Sequence, residues 1–455
     1  MTENVPPDNE ANRLSRRLQR YAQVGTNVGG VAAGMATRYV FGLSQGHEKS
    51  AAALAEALGG LKGPLMKVAQ IMSTIPDALP KEYVQELQQL QANAPAMGWP
   101  FVKRRMAAEL GSGWQDKFKS FEHEAAAAAS LGQVHRGVAH DGTALACKLQ
   151  YPDMASAVEA DLAQLRIIFS IYERYDRAIH TKEIHGEIGD RLREELDYEL
   201  EARHMGLYRR MLAREKHVHL PLPMPELSTR RLLTMSWIDG RPMMQVLEGK
   251  PSLELRNRIA YNMFRAWYVP FYEYGVIHGD PHLGNYTMRP NGDVNLLDFG
   301  CIRIFEPTFV QGVIDLYFAL LNDDRDLAVS AYESWGFKGL SREVIDVLNR
   351  WAHFVYGPLL EDKERKIQDA ATGGLRPRVA EGVHAELRRL GPVTPPKEFV
   401  FMDRAAIGLG SVFMHLKAEI NWYRLFHELI TGFDVKALDR RQKAALKEAG
   451  LKKQR

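Results

Sequence analysis

Between Val276 and Gly300 the sequence runs VIHGDPHLGNYTMRPNGDVNLLDFG. Asp280 stands five residues before Asn285, and Asp298 follows in an Asp-Phe-Gly triplet, beyond a hairpin signalled by Asn291-Gly292. Phosphoryl transfer asks for this kind of set. One carboxylate orients a hydroxyl or water, and two oxygen-bearing side chains hold the Mg²⁺ that neutralises phosphate charge, so the chemistry is mostly positioning. An isolated Asp-Phe-Gly is common by chance, but the ordered set is not. Asp280 is therefore the candidate catalytic carboxylate, Asn285 and Asp298 are the candidate metal ligands, and ATP with Mg²⁺ is the implied cofactor pair. His278 and His282 read as packing residues around them.

Upstream, Lys148 ends the alternating strand Ala144-Leu145-Ala146-Cys147-Lys148-Leu149, where a kinase-type lysine would contact the α- and β-phosphates. Such a lysine needs a helix carboxylate to hold it, and Glu195 and Glu201 both qualify. Where protein kinases carry a Gly-rich phosphate loop, this chain has Ala125 to Ala129, then Ser130 and Gly132. Alanine disfavours positive φ, so the nucleotide geometry should differ from that of a protein kinase, with Ala127, Ala128, Ala129 and Ser130 lining the phosphates. Regulated protein kinases usually place an arginine where Gly279 stands, and little chain separates Gly300 from the apolar helix around Val310 to Leu321. A docked protein substrate is disfavoured.

These residues need elements to place them. Residues 125 to 149 read as strand, turn, strand around His140-Asp141-Gly142. Residues 156 to 213, dense in Glu, Arg and Leu without proline, read as long helices, and residues 229 to 238 as a further strand. Tyr286-Thr287-Met288 and Val294 to Leu297 form a hairpin in a chain otherwise helical beyond Gly240. Sheet first and helices later implies an α+β fold of two lobes. The length of 455 residues and a hydrophobic share of 45% allow a sizeable core. Basic and acidic residues number 59 and 56, a net charge of +3, which gives no reason to expect a nucleic-acid partner. Two cysteines, Cys147 and Cys301, supply neither a disulfide framework nor a metal motif. No targeting signal is evident, and no stretch reaches the roughly 18 apolar residues a bilayer span needs. The basic, leucine-striped residues 11 to 23 fit either a membrane-surface helix or one packed on the body. Residues 436 to 455 pose the same choice, with a frayed, solvated helix the expected outcome.

Together these features resemble the UbiB family of atypical kinases, or aarF-domain-containing kinases, over roughly residues 60 to 430. The family's Ala-rich loop and Ser-x-Gly-Gln-Val-His segment match residues 125 to 135. Its Lys-x-Gly-Gln motif matches Lys67-Val68-Ala69-Gln70, with alanine in place of the glycine, and its Glu-x-Asp motif matches Glu195-Leu196-Asp197. The resemblance pairs Lys148 with Glu201. It brings Lys67 and Gln70 toward Glu195 and Asp197 over the cleft, and makes Leu232 to Gly240 an interlobe linker where Met235 and Trp237 would meet adenine. It implies a two-lobed protein-kinase-like fold with an N-terminal helical extension over the active site and a mostly helical C-lobe. The expected divisions are an extension with an amphipathic helix (1–59), Lys-x-Gly-Gln helices and N-lobe (60–235), C-lobe with the catalytic segment (236–433) and a basic tail (434–455). It further implies an ATPase, or a kinase of small or lipid-like molecules, that supports ubiquinone biosynthesis beside other quinone-biosynthesis proteins. The expected place is the cytoplasm, with any membrane attachment peripheral, on the inner membrane. An aminoglycoside- or choline-type phosphotransferase and a nucleotide-binding pseudokinase scaffold are the alternatives.

Overall fold

The structure is a computed structural model that describes residues 97–128, 131–175, 181–367, 386 and 396–452. The basic segment at 11 to 23, Lys67, Gln70, Ala129 and Ser130 lie outside the described residues. The chain divides into two compact units, Met1–Ala202 with Pro223–Trp237, and Arg203–Leu222 with Ile238–Arg455.

The first unit is built on an antiparallel sheet of β1 (Ser120–Ala128), β2 (Gly132–Val138), β3 (Ala144–Gln150) and β5 (Leu232–Ser236), in that spatial order; the short β4 (Val218–His219) belongs to the second unit. Period-two alternation makes β3 work. Leu145, Cys147 and Leu149 turn into the core with Val102, Met106, Val158, Ile188, Leu192 and Leu232, which sends Lys148 to the other face. Helices α1 (Trp99–Leu110), α2 (Met154–Tyr175) and α3 (Thr181–Glu195) cover this core. Buried Arg105 on α1 fixes the end of β3 by donating to the carbonyls of Gln150 and Tyr151, each at 3.2 Å, while also pairing with Glu109. The expected alanine loop is shorter than the alanine run. Ala125 to Ala128 stay in β1, with Ala127 and Ala128 facing Val134 and Gln133 of β2.

Helix α4 (Tyr198–Met211) begins in the first unit and ends in the second. The second unit holds a four-stranded sheet in the order β4, β9 (Val294–Leu296), β8 (Tyr286–Met288) and β6 (Arg241–Pro242), and an antiparallel pair of β7 (Val276–His278) with β10 (Ile302–Ile304). The β8–β9 turn is closed by Gly292 at φ +89°, which the Asn-Gly signal anticipates. Behind the strands lie α5 (Leu253–Tyr274), α6 (Pro307–Asn322), α7 (Arg325–Ser334), α8 (Arg342–Tyr356), α9 (Lys397–Leu416), α10 (Trp422–Ile430) and α11 (Val435–Glu448).

The C-terminal tail corrects the expectation of a frayed, solvated helix. Leu438, Gln442, Ala445 and Leu446 form one buried stripe of α11, at helical spacing. The end of α5 leaves carbonyls that no intrahelical N–H can reach. Arg441 donates to Glu273 O at 2.9 Å, and Gln442 donates to Tyr274 O at 2.8 Å and to Phe305 O at 2.9 Å. The tail is docked, and only its outer face is basic.

Candidate active site

In the first unit, Lys148 Nζ donates to both carboxylate oxygens of Glu201, at 2.9 and 3.0 Å, and lies 5.1 Å from the centre of the Tyr198 ring. The side chains are 16% and 3% exposed, so the pair is largely withdrawn from water. Asp197 explains how α4 presents Glu201. Its Oδ1 accepts from Leu200 N–H at 2.9 Å, a helix N-cap, and its carbonyl accepts from Glu201 N–H at 3.0 Å. Glu195, the other carboxylate of the Glu-x-Asp motif, is the last residue of α3 and is half-buried.

The Ser-x-Gly-Gln-Val-His segment has a structural logic of its own. A Cβ at Gly132 would stand 2.2 Å from the carbonyl oxygen of Leu149, so only glycine lets β2 approach β3 there. Buried Gln133 is fully used: its Oε1 accepts from Met97 N–H at 2.7 Å, and its Nε2 donates to Met97 O at 3.0 Å and to His135 Nε2 at 2.8 Å. His135 in turn donates from Nδ1 to Glu122 O at 2.9 Å. Gln133 and His135 thus fix the chain at Met97, leaving Ala127 and Ala128 exposed on the facing strand. In the linker, Met235 pairs with Ala146, and Trp237 donates its N–H to Ala144 O at 2.8 Å while Arg136 stacks 4.8 Å from its ring centre. An adenine contact from the Trp237 backbone must therefore use the carbonyl.

In the second unit, Asn285 Nδ2 donates to Asp280 Oδ2 and to Asp280 O, both at 3.0 Å. That spends the amide nitrogen and turns Asn285 Oδ1, an oxygen that suits a hard cation, away from the carboxylate. His278 joins the Asp280 loop to the Asp-Phe-Gly triplet. Its Nε2 donates to Asp298 O at 2.8 Å, its Nδ1 accepts from Asp280 N–H at 3.1 Å, and its own carbonyl accepts from Trp267 Nε1 at 3.1 Å. A carbonyl can only accept and an N–H can only donate, so the ring is held as the Nε2–H tautomer. Burial first, and then the nearby Asp280 charge, push the Tyr286 phenol up, which marks how close that buried ring is to the loop. A Cβ at Gly279 would stand 2.9 Å from Cys301 Sγ, so any side chain there would have to displace that thiol.

Asp298 Oδ1 accepts from Gly300 N–H at 3.0 Å. Among the described residues no group of three His, Cys, Asp or Glu side chains forms a metal cluster. Mg²⁺ does not ask for one, since it is ordinarily held by one or two carboxylates together with phosphate oxygens and water. Asp298 and the free oxygen of Asn285 fit that requirement.

One contributor escapes the sequence. His204 on α4, 4% exposed, has Nδ1 at 3.1 Å from Phe299 O, and burial pulls its imidazole down to about 4, so the neutral ring donates to that carbonyl. No motif marks His204, and 95 positions separate the partners. The only sequence signal is its place three residues after Glu201 on one helix.

Residues 89–332 match the ABC1 atypical kinase-like domain. Rat mitochondrial atypical kinase COQ8B is 30% identical over 328 residues, 70% of this chain and 61% of the rat protein. Mitochondrial atypical kinase coq-8 of Caenorhabditis elegans is 26% identical over 437 residues, 91% of this chain and 57% of its own length. The chain thus spans about three fifths of the length of these relatives. Among solved structures, Rv3197 of Mycobacterium tuberculosis, determined with erythromycin, is similar at a TM-score of 0.60 and 25% identity, covering 85% of this chain and 97% of that one. The fold is kinase-like α+β, and the chain belongs to the ABC1 atypical kinase family, the UbiB-type group that its motifs resemble.

Proposed function

We propose that the protein is a Mg²⁺-dependent ATPase, or a phosphotransferase for a small lipid-like acceptor, that supports ubiquinone biosynthesis. The observation that carries this reading is the hydrogen-bonded set of Asp280, Asn285 and Asp298 joined through His278. In it Asp280 orients the attacking hydroxyl or water and accepts its proton, with Asn285 holding the carboxylate still. Asn285 and Asp298 would hold the metal, which supplies charge neutralisation on the phosphates. Lys148, steadied by Glu201, binds phosphate oxygens, and the exposed Ala127–Ala128 edge brings backbone close to them, with Ala129 and Ser130 continuing it. Met235 and Trp237 would border the adenine. Lys67 and Gln70, with Glu195 and Asp197, would cover the cleft and favour a small acceptor over a peptide. The quinone pathway rests on the family resemblance and on likeness to the COQ8 proteins. Partners in that pathway follow from the same likeness, and attachment to a membrane surface would be peripheral.

Phosphate release from Mg²⁺·ATP by the purified chain, alone and with quinone-precursor phenols and lipids as acceptors, tests the activity. Asp280→Asn should slow release by about a hundredfold or more. Wild-type rates in that variant would remove Asp280 from the mechanism. A strain lacking the gene should accumulate quinone precursors, and an unchanged quinone pool would point to another pathway.

A further inference from the structure

Asp298 is followed by two peptide planes, and a histidine holds each. His278 Nε2 donates to the Asp298 carbonyl at 2.8 Å, and His204 Nδ1 donates to the Phe299 carbonyl at 3.1 Å. The second plane matters more for the carboxylate. Phe299 C=O and Gly300 N–H lie on opposite edges of one rigid peptide unit. Gly300 N–H donates to Asp298 Oδ1 at 3.0 Å, so whatever fixes the Phe299 oxygen also fixes the direction in which that N–H points. Tyr208, one helical turn after His204 on α4, packs on the buried Phe299 ring at 5.5 Å between centres. Helix α4 therefore grips Phe299 twice, by its backbone through His204 and by its side chain through Tyr208.

We propose that His204 is a positioning residue for the metal-binding carboxylate of Asp298, acting through the Phe299–Gly300 peptide. The inference rests on the functional reading above, in which Asp298 binds Mg²⁺. A histidine that merely fills the core and satisfies a carbonyl would change stability when replaced, and would leave the metal requirement alone. A positioning residue changes the metal requirement itself. Replacing groups that orient a metal ligand ordinarily weakens metal binding by about ten- to a hundredfold.

The test measures thermal stabilisation of the full chain by ATP as Mg²⁺ is titrated, for wild type, His204→Leu and His204→Asn, with ATP alone as the metal-free reference. Leucine removes the donor, and asparagine keeps an N–H on the atom bonded to Cγ, where Nδ1 stands in histidine. The Mg²⁺ concentration for half-maximal stabilisation should rise about tenfold or more in His204→Leu and return most of the way in His204→Asn. The metal-free response to ATP should match wild type in both. If His204→Leu does not fold, His204→Met takes its place, because it fills the site without a donor. A folded donor-less variant with the wild-type Mg²⁺ midpoint overturns the proposal, as does an asparagine variant no better than leucine. If wild type itself shows no Mg²⁺-dependent stabilisation, the functional reading fails first and this inference falls with it.

Discussion

The Lys148–Glu201 pair allows the most quantitative prediction. In Glu201→Gln the shape of the side chain survives, and one oxygen can still accept from Lys148, but the ammonium loses the Glu201 charge in a site where it is only 16% exposed. Breaking a buried ion pair typically costs about 3–5 kcal/mol, and the retained acceptor, the residual exposure and the Tyr198 ring 5.1 Å away place this case at or below the low end, about 2–3 kcal/mol. For a unit of this size that is a fall in Tm of about 4–12 °C. Lys148→Met takes the ammonium away from a carboxylate only 3% exposed, and should cost a similar amount. With both changes neither charge of the pair remains, so the double variant should be more stable than the sum of the singles predicts by about 2 kcal/mol. Denaturant unfolding of the four proteins at one pH gives the coupling. Additive effects, or single substitutions that each cost under about 0.5 kcal/mol, would show that the two side chains are not a withdrawn ion pair.

Three further outcomes follow from packing and charge. Gly132→Ala should destabilise by about 3 kcal/mol, read from denaturant midpoints, because its Cβ meets the Leu149 carbonyl at 2.2 Å and a backbone atom cannot step aside as a side chain can. Asp293 is held below its ordinary value of 3.8: burial alone would raise it, but hydrogen bonds from His219 at 2.7 Å and His217 at 2.9 Å outweigh that. A depressed carboxylate stabilises the fold above its unfolded value and loses that contribution as pH falls through the folded one, so Asp293→Asn should flatten the acid limb of a Tm-against-pH curve below about pH 4, and an unchanged limb would count against the pairing. Burial pushes the Cys147 thiol up to about 12, so iodoacetamide at pH 8 should label the partly exposed Cys301 in the folded protein and leave Cys147 untouched until it unfolds, as mass spectrometry would show.

How much the sequence disclosed depended on whether the signal was local. The β8–β9 hairpin was legible because Asn291-Gly292 requires its own backbone geometry, and the oxygen set of Asp280, Asn285 and Asp298 because spacing along one short segment carries it. Lys148 was legible from alternation, which sends the one cation of its strand away from the core. The alanine run misled as to its extent. Identical small residues have no periodicity, and only the register with Val134 and Gln133 shows that Ala125 to Ala128 are strand. Helix α11 was misjudged because Gln442 breaks its apolar stripe in the sequence while completing it in the fold, where its amide meets two carbonyls. His204 and the Gln133 clasp on Met97 were hidden for a different reason. Each satisfies backbone groups far along the chain, and a backbone carbonyl leaves no mark in the sequence of the residue that bears it.

The central claim is that Asp298 and Asn285 make a Mg²⁺-dependent nucleotide site. It is tested most directly by the thermal stability of the purified chain with ATP, with and without Mg²⁺, in wild type and Asp298→Asn. Ligand at a hundred times its Kd stabilises by about 2.7 kcal/mol, enough for a clear rise in Tm. Wild type should show that rise with Mg²⁺·ATP, and Asp298→Asn should lose the Mg²⁺-dependent part. A well-folded wild type that no adenine nucleotide stabilises, or an Asp298→Asn variant with the full Mg²⁺ response, would contradict the account.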